Sequence, residues 1–224
     1  MKAIEPPEIS DDLQGTALTP REVNILLTIP DCRKIIGARD YALMLLMLRT
    51  FMRVSEAVSL RESDFFYQKN HWYVRVKIKG GSIRSTPIPR EVKQAIDRYH
   101  LLDREHRQMI HLTHSDSRFI FMPLIEKKTR VNYNANTHLT VRHVWHIVNR
   151  YGKLLFLDEN LKNQKSSGGK GGENDFTVER TLSPHDFRRT AITRALDQGE
   201  TYRRVQNAAR LKSITTVQRY DQHR

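Results

Sequence analysis

Three separated segments each place a basic residue where neither helix propensity nor packing requires one. Arg53 falls between two apolar helical stretches, in Arg53-Val54-Ser55-Glu56. An arginine in that setting needs an anion or a carboxylate partner. Lys79 stands at the tip of a predicted hairpin, beside Gly80 and Gly81. His185 and Arg188 are spaced i, i+3 in Pro184-His185-Asp186-Phe187-Arg188-Arg189, so they share one helical face. Near the end, Tyr220 closes Thr215-Thr216-Val217-Gln218-Arg219-Tyr220. Two arginines, a lysine, a histidine and a tyrosine make a metal-free phosphoryl-transfer set. Arginine forks bind non-bridging phosphate oxygens. A tyrosine serves as covalent nucleophile, and lysine and histidine move protons.

The charge balance points to the same substrate class. The 224 residues carry 38 Lys+Arg against 25 Asp+Glu, a net charge of +13. The basic residues are spread over the whole sequence, which suits a protein cradling a polyanion over a wide surface. No basic amphipathic helix with an aromatic face stands out, against a membrane partner. The longest apolar stretch, Tyr41 to Leu48, is too short to span a bilayer. The first twenty residues are acidic and contain proline, unlike an ordinary signal peptide. Cys32 is the single cysteine, so a reducing, cytoplasmic setting is expected, with the protein on the nucleoid when acting. His143 and His146 share a helical face, and His106, His111 and His114 cluster, yet no carboxylate or cysteine stands at ligand spacing. No metal and no cofactor are expected. In Gly168-Gly169-Lys170-Gly171-Gly172 the lysine is followed by glycine rather than Ser or Thr, which sets a phosphate loop aside.

The elements that must position these groups are mostly helical. Residues 1–18 lack periodicity and read as an N-terminal arm, flexible or docked. Thr19-Pro20-Arg21-Glu22 reads as an N-cap with proline at the first helical position, opening a helix to about Thr28. Further helices are predicted over Arg39–Met52, apolar nearly all round and so buried, and over Val54–Leu60, Glu91–Arg107 and Val141–Leu157. Trp72–Ile78 alternates as a strand, turns at Gly80-Gly81 and returns over Arg84–Ile88. Arg118–Met122 reads as a short strand. Residues 158–180 have linker composition and read as a flexible loop within the domain. Helices over Ser183–Leu196, Tyr202–Ala209 and Thr215–Tyr220 complete the chain. The fold class is mainly α with a small antiparallel β hairpin or sheet (α+β), with residues 19–224 as one domain.

These segments resemble the tyrosine site-specific recombinases of the phage integrase family, over about residues 17–220. The family's Arg-x-Ser-Glu with following Leu and Asp matches Arg53-Val54-Ser55-Glu56, Leu60 and Asp64. Its hairpin lysine matches Lys79. Its Ser-Pro-His-x-x-Arg matches Ser183 to Arg188, and its nucleophile segment matches Thr215 to Tyr220. Each motif alone is weak; the four in order are specific. The resemblance implies the family's catalytic-domain fold and site-specific cleavage and rejoining of duplex DNA through a 3′-phosphotyrosyl bond, without metal or ATP. It implies Tyr220 as nucleophile, Arg53 and Arg188 as phosphate clamp, Lys79 as general acid and His185 as a base or hydrogen-bonding group. Glu56 supports that shell. Strand exchange would pass through a Holliday junction in a tetramer on DNA, with a monomer in solution allowed. Arg84, Arg203, Arg204, Arg210 and Lys212 become candidate DNA contacts. The alternatives are a type IB topoisomerase-like enzyme and a non-catalytic DNA-binding regulator on the same fold.

Three departures from the family accompany the match. Where it carries His or Trp, nine residues before the tyrosine and after Leu-Gly, this sequence has Leu211 after Ala209-Arg210. A leucine donates no hydrogen bond. Arg189 stands where many members have His and is a candidate to compensate. Most members also carry an N-terminal core-binding domain of about one hundred residues, whereas a short arm precedes the match here. The chain then reads as a catalytic fragment or as a compact member. Only Asp221 to Arg224 follow Tyr220, which leaves no segment to exchange between neighbours in a tetramer.

Overall fold

The computed structural model describes residue 15 and residues 17–78, 81–109, 119–127, 130–133, 137–166 and 180–222. The first helix, α1 (Pro20–Thr28), opens with the expected cap. Thr19 Oγ1 accepts the Glu22 N–H at 3.2 Å and Glu22 accepts the Thr19 N–H at 2.6 Å. Two main-chain donors are thereby satisfied reciprocally. α2 (Ile35–Thr50) runs through the centre of the molecule, with Ala42 to Leu48 all buried. It ends at Phe51, which adopts the left-handed region at φ 55°. α3 (Val54–Val58) follows, capped by Arg53.

Next come a 3-10 turn (Glu62–Asp64) and the strands β1 (Phe65–Gln68), β2 (His71–Lys77) and β3 (Ile83–Ile88). They form one antiparallel sheet in the order β1-β2-β3. Val74 and Val76 are buried while Arg75 and Lys77 are exposed, the expected alternation of a sheet with one face on the core. The β2–β3 turn is closed by Ile78 N–H to Ser82 O at 2.9 Å. Lys79 at its tip lies outside the described residues. α4 (Arg90–Met109) packs on α2. Instead of the strand expected over Arg118–Met122, a single bridge joins Phe119 to Arg61. A second, two-stranded sheet forms from β4 (Leu124–Lys127) and β5 (Arg130–Tyr133).

α5 (Val141–Ser166) continues nine residues beyond the predicted Leu157 end. The sequence from 158 is polar but contains no residue that breaks a helix before Ser166; the rest of the predicted loop, 167–179, lies outside the described residues. α2 and α5 are joined at Asp40, which is fully buried. Its carboxylate receives Arg39 at 2.7 Å, Arg150 at 2.8 Å and the Tyr151 hydroxyl at 3.1 Å. Three further helices, α6 (Pro184–Asp197), α7 (Tyr202–Ala209) and α8 (Ile214–Gln222), pack on one another.

Two apolar clusters hold the chain together. The larger surrounds α2 and takes Phe187 from α6. The smaller lies among α6, α7 and α8 and comprises Ile192, Ala195, Leu196, Val205, Ala209, Val217 and Tyr220. α6 belongs to both. Residues before α1 lie on α6 as well. Leu18 N–H bonds Thr190 Oγ1 at 2.9 Å, and a Cβ at Gly15 would stand 2.0 Å from Asp186 Oδ1. Only a residue without a side chain fits there. Of the predicted arm, the described residues 15, 17 and 18 are therefore in the docked form; residues 1–14 and 16 lie outside the described set.

Candidate active site

The first turn of α6 sets the site. Asp186 accepts the Ser183 N–H at 2.8 Å and the Ser183 hydroxyl at 2.7 Å, fixing the entry to the helix. Arg188 and Arg189 follow, both buried. Two cations near a helix N-terminus oppose its dipole, so other elements must hold them. Arg188 Nη1 donates to the Phe51 carbonyl and Nη2 to the Ala209 carbonyl. These oxygens lie where α2 and α7 end, the negative poles of both helices. Burial draws the Arg188 pKa down to about 10, with Arg53 and Arg210 adding repulsion while Glu56 and Tyr220 offset it. Arg53, Glu56, Tyr220 and Arg210 therefore all lie within electrostatic reach of Arg188.

Arg53 is held by its own helix. Glu56, buried, accepts the Arg53 main-chain N–H at 2.9 Å and Arg53 Nη1 at 3.2 Å. One carboxylate thus fixes both the backbone and the guanidinium of Arg53, which stays half exposed at 47%. Tyr220, at 6% exposed, is packed in the smaller cluster. Arg189 lies over its ring, with its guanidinium carbon 5.7 Å from the centroid, a cation–π distance. His185 is exposed on the first turn of α6, on the helical face that it shares with Arg188. Arg53, Glu56, Arg188, Arg189 and Tyr220 are thus one constellation, and His185 lies exposed one helical turn before Arg188.

The candidate DNA contacts divide. Arg84 is exposed on β3 and shares with Arg49, Phe51 and Arg210 the wall of a groove of about 440 Å³. Arg203, Arg204 and Lys212 are exposed around α7, with Arg204 paired to Glu200 at 3.1 Å. Arg210 differs from that expected basic face. Its side chain is only 7% exposed and reaches Glu56 Oε2 at 2.5 Å and Thr86 Oγ1 at 3.1 Å. The cause is its backbone, left-handed at φ 55°, which turns the chain sharply at the end of α7. No spacing rule pairs residues 56 and 210; the sequence signal was an arginine directly after a predicted helix, where a glycine is usual. Among the described residues, no three His, Cys, Asp or Glu side chains are placed to hold a metal.

The model of the phage integrase family matches residues 16–224. The chain belongs to the phage integrase family. Among curated members, it is 29% identical over 220 residues to the tyrosine recombinase XerD of Lacticaseibacillus casei, covering 98% of this chain and 62% of that protein. It is 28% identical to the tyrosine recombinase XerA of Thermococcus kodakarensis, covering 97% and 61%. The chain therefore spans about three fifths of the length of these relatives. Among solved structures, XerH site-specific recombinase bound to difH substrate superposes with a TM-score of 0.65 at 18% identity, covering 92% of this chain and 50% of that one. The catalytic domain of bacteriophage HP1 integrase gives 0.50 at 15% identity, covering 94% and 89%. The mainly helical fold with its three-stranded sheet is that of phage integrase catalytic domains.

The phage integrase pattern of Leu-Gly-His ahead of the tyrosine has a structural counterpart here. The Leu211 N–H bonds the Gln206 carbonyl at 3.0 Å and the Arg210 N–H bonds Asn207 at 3.2 Å, a Schellman end to α7. Arg210 occupies its left-handed position and Leu211 packs against the smaller apolar cluster. Leu211 thus supports the cluster that buries Tyr220 and has no polar group to offer the site.

Proposed function

We propose that this chain is the catalytic portion of a tyrosine recombinase that cuts and rejoins duplex DNA at specific sites. The observation that carries it is the convergence on buried Arg188 of Arg53 and Glu56 from the start of α3 and of Tyr220 from α8, elements far apart in sequence. The relatives bear the name tyrosine recombinase, and XerH and the Tn1549 integrase were solved with their DNA. In this reading residues 19–224 are the catalytic domain, preceded by an arm. The place of action is the cytoplasm, on the DNA, and the acting species is a tetramer.

The reaction balances without a cofactor. The Tyr220 oxygen attacks phosphorus as its proton passes toward His185. The bond from phosphorus to the 5′-oxygen breaks, and Lys79 protonates that leaving oxygen. Arg53 and Arg188 meet the non-bridging oxygens, whose charge grows in the transition state. The phosphotyrosyl ester conserves the bond, so a 5′-hydroxyl from a partner strand reverses the step.

The test is a covalent trap in EDTA, with nicked duplexes made from DNA flanking the gene of this protein. A denaturing gel shows an adduct with wild type and none with Tyr220→Phe. An adduct that persists in Tyr220→Phe, or none with either protein, defeats the reading. Relaxation of any supercoiled plasmid without a partner site would favour a topoisomerase-like enzyme instead.

A further inference from the structure

We propose that Arg210 is a third arginine of the active site, a positioning residue that holds Glu56 and, through it, Arg53. It supplies from the neighbouring position the charge that Leu211 lacks. The proposal rests on the recombinase reading of the site and concerns how this chain meets its departure from the family pattern.

The geometry carries it in three steps. Glu56 has two carboxylate oxygens and two arginine partners. Oε1 receives Arg53 Nη1 at 3.2 Å, and Oε2 receives Arg210 Nη2 at 2.5 Å together with the Arg53 N–H at 2.9 Å. Arg210 Nη1 extends to Thr86 on β3 at 3.1 Å, so one guanidinium links α7, α3 and the sheet whose β2–β3 turn bears Lys79. A carboxylate with a single arginine partner would keep freedom to rotate; fixed between two, it defines where Arg53 stands.

The backbone shows that this side chain has a role there. A left-handed residue with a Cβ is disfavoured, and glycine is the residue such a helix end favours. Here an arginine takes that conformation, and its side chain is more than nine-tenths buried. Its Nε is buried with no hydrogen-bond partner among the described residues. A cation that shares Glu56 with Arg53 adds positive charge where an anion would enter the site. Its charge already lowers the proton affinity of Arg188.

The experiment compares adduct formation and thermal unfolding in wild type, Arg210→Gly, Arg210→Lys and Arg210→Gly/Leu211→His. Glycine suits the left-handed backbone, so Arg210→Gly keeps the fold while losing the fork. Its cleavage rate is expected to fall about 10- to 100-fold, the usual scale for a partner that orients a working group. Lysine keeps the charge and one contact and recovers part of the rate. Adding Leu211→His to Arg210→Gly raises the rate by a larger factor than Leu211→His does in wild type. Wild-type cleavage by Arg210→Gly, or losses in both variants that follow only their melting temperatures, would overturn the proposal. If wild type itself forms no adduct, the recombinase reading fails instead. Orthovanadate then decides: its stabilising shift in Tm should shrink in Arg210→Gly, and an unchanged shift refutes the role of Arg210.

Discussion

The guanidinium of Arg188 donates to the main-chain carbonyl of Phe51, a residue 137 positions earlier in the chain. Phe51 is itself left-handed, the residue at which α2 stops. A bulky side chain in that region is uncommon and costly. The cation therefore stands at the negative pole of the central helix, with a second carbonyl, that of Ala209, on its other nitrogen. A guanidinium has five donors, so three remain for a phosphate after these two contacts. The same group fastens two helix ends and, in the proposed reaction, would meet the phosphate.

Arg188→Ala should accordingly fail in two separable ways. Adduct formation falls about 100- to 1000-fold, the scale for losing one electrostatic donor to a developing charge. Stability falls by about 1–3 kcal/mol, because a buried carbonyl loses its donor. Arg188→Lys supplies one contact in place of the fork and should recover stability more than rate. Urea unfolding and the adduct gel, run on the same preparations, separate the two effects.

Lys79 is tested by changing the leaving group. Lys79→Ala should cleave an ordinary nicked duplex slowly, because the departing 5′-oxygen then leaves without a proton. A duplex with sulfur in place of that bridging oxygen leaves as a thiolate, whose conjugate acid has a pKa of about 8.5. It needs no general acid, so wild type and Lys79→Ala should form the adduct at similar rates. A variant that stays slow on the sulfur substrate would place Lys79 in another role.

DNA affinity should fall steeply with salt. Each neutralised phosphate contributes a slope of about 0.9 in a plot of log K against log salt. Arg203→Gln and Lys212→Gln remove exposed charges and should each lower the slope by about 1 if they meet phosphate. Arg204→Gln should do less, because Glu200 already offsets that charge. Titration by fluorescence anisotropy across several salt concentrations reads all three.

Tyr151 gives a prediction for the alkaline side. Burial, reinforced by the Asp40 carboxylate, pushes its phenol up to about 12 from an ordinary value of 10.0. A proton held more tightly in the folded state stabilises that state below the unfolded pKa. That contribution is present below pH 10 and is lost as pH rises toward 12. The lowered pKa of Arg188 has the opposite trend in that window, so the Tyr151 effect is read as a difference. Tyr151→Phe should lose less stability, or gain more, than wild type as pH rises from about 10 to about 12. Equal slopes in urea unfolding would refute the assignment.

The legible parts of the fold were those with local punctuation. α1, α6 and α7 begin with Thr19-Pro20, Ser183-Pro184 and Thr201, and their predicted bounds lie close to the observed ones. α2 starts earlier than predicted, at Ile35, and includes Gly37. A Cβ there would lie 2.3 Å from the Asp31 carbonyl. That glycine answers a tertiary contact, which a helix-breaking rule misreads. β1 was missed because its turn is Lys69-Asn70, left-handed at both residues with φ 48° and 64°. Such a two-residue turn is usually announced by Asn-Gly. In the site, Arg53 and Glu56 could be paired by spacing, and two of the four motifs singled out Arg188 and Tyr220. The bond from Arg210 to Glu56 depends on a left-handed helix end 154 residues away, and no local pattern encodes that.

The two apolar clusters meet in a way that bears on movement. α7 and α8 rest on α6 through their own small cluster, while their links toward the sheet and α3 run through Arg210, and toward α2 through Arg188 and the edge of Phe51. Joints of this kind are hydrogen bonds and ion pairs, which water can replace, whereas parting packed methyl groups exposes hydrocarbon. Tyr220, the proposed nucleophile, is therefore carried by helices joined to the rest of the molecule in part through polar contacts. It is packed in the small cluster at 6% exposure. In the proposed reaction, the contacts that anchor Arg188 and Arg210 are also the ones that tie the helices bearing Tyr220 to the rest of the site.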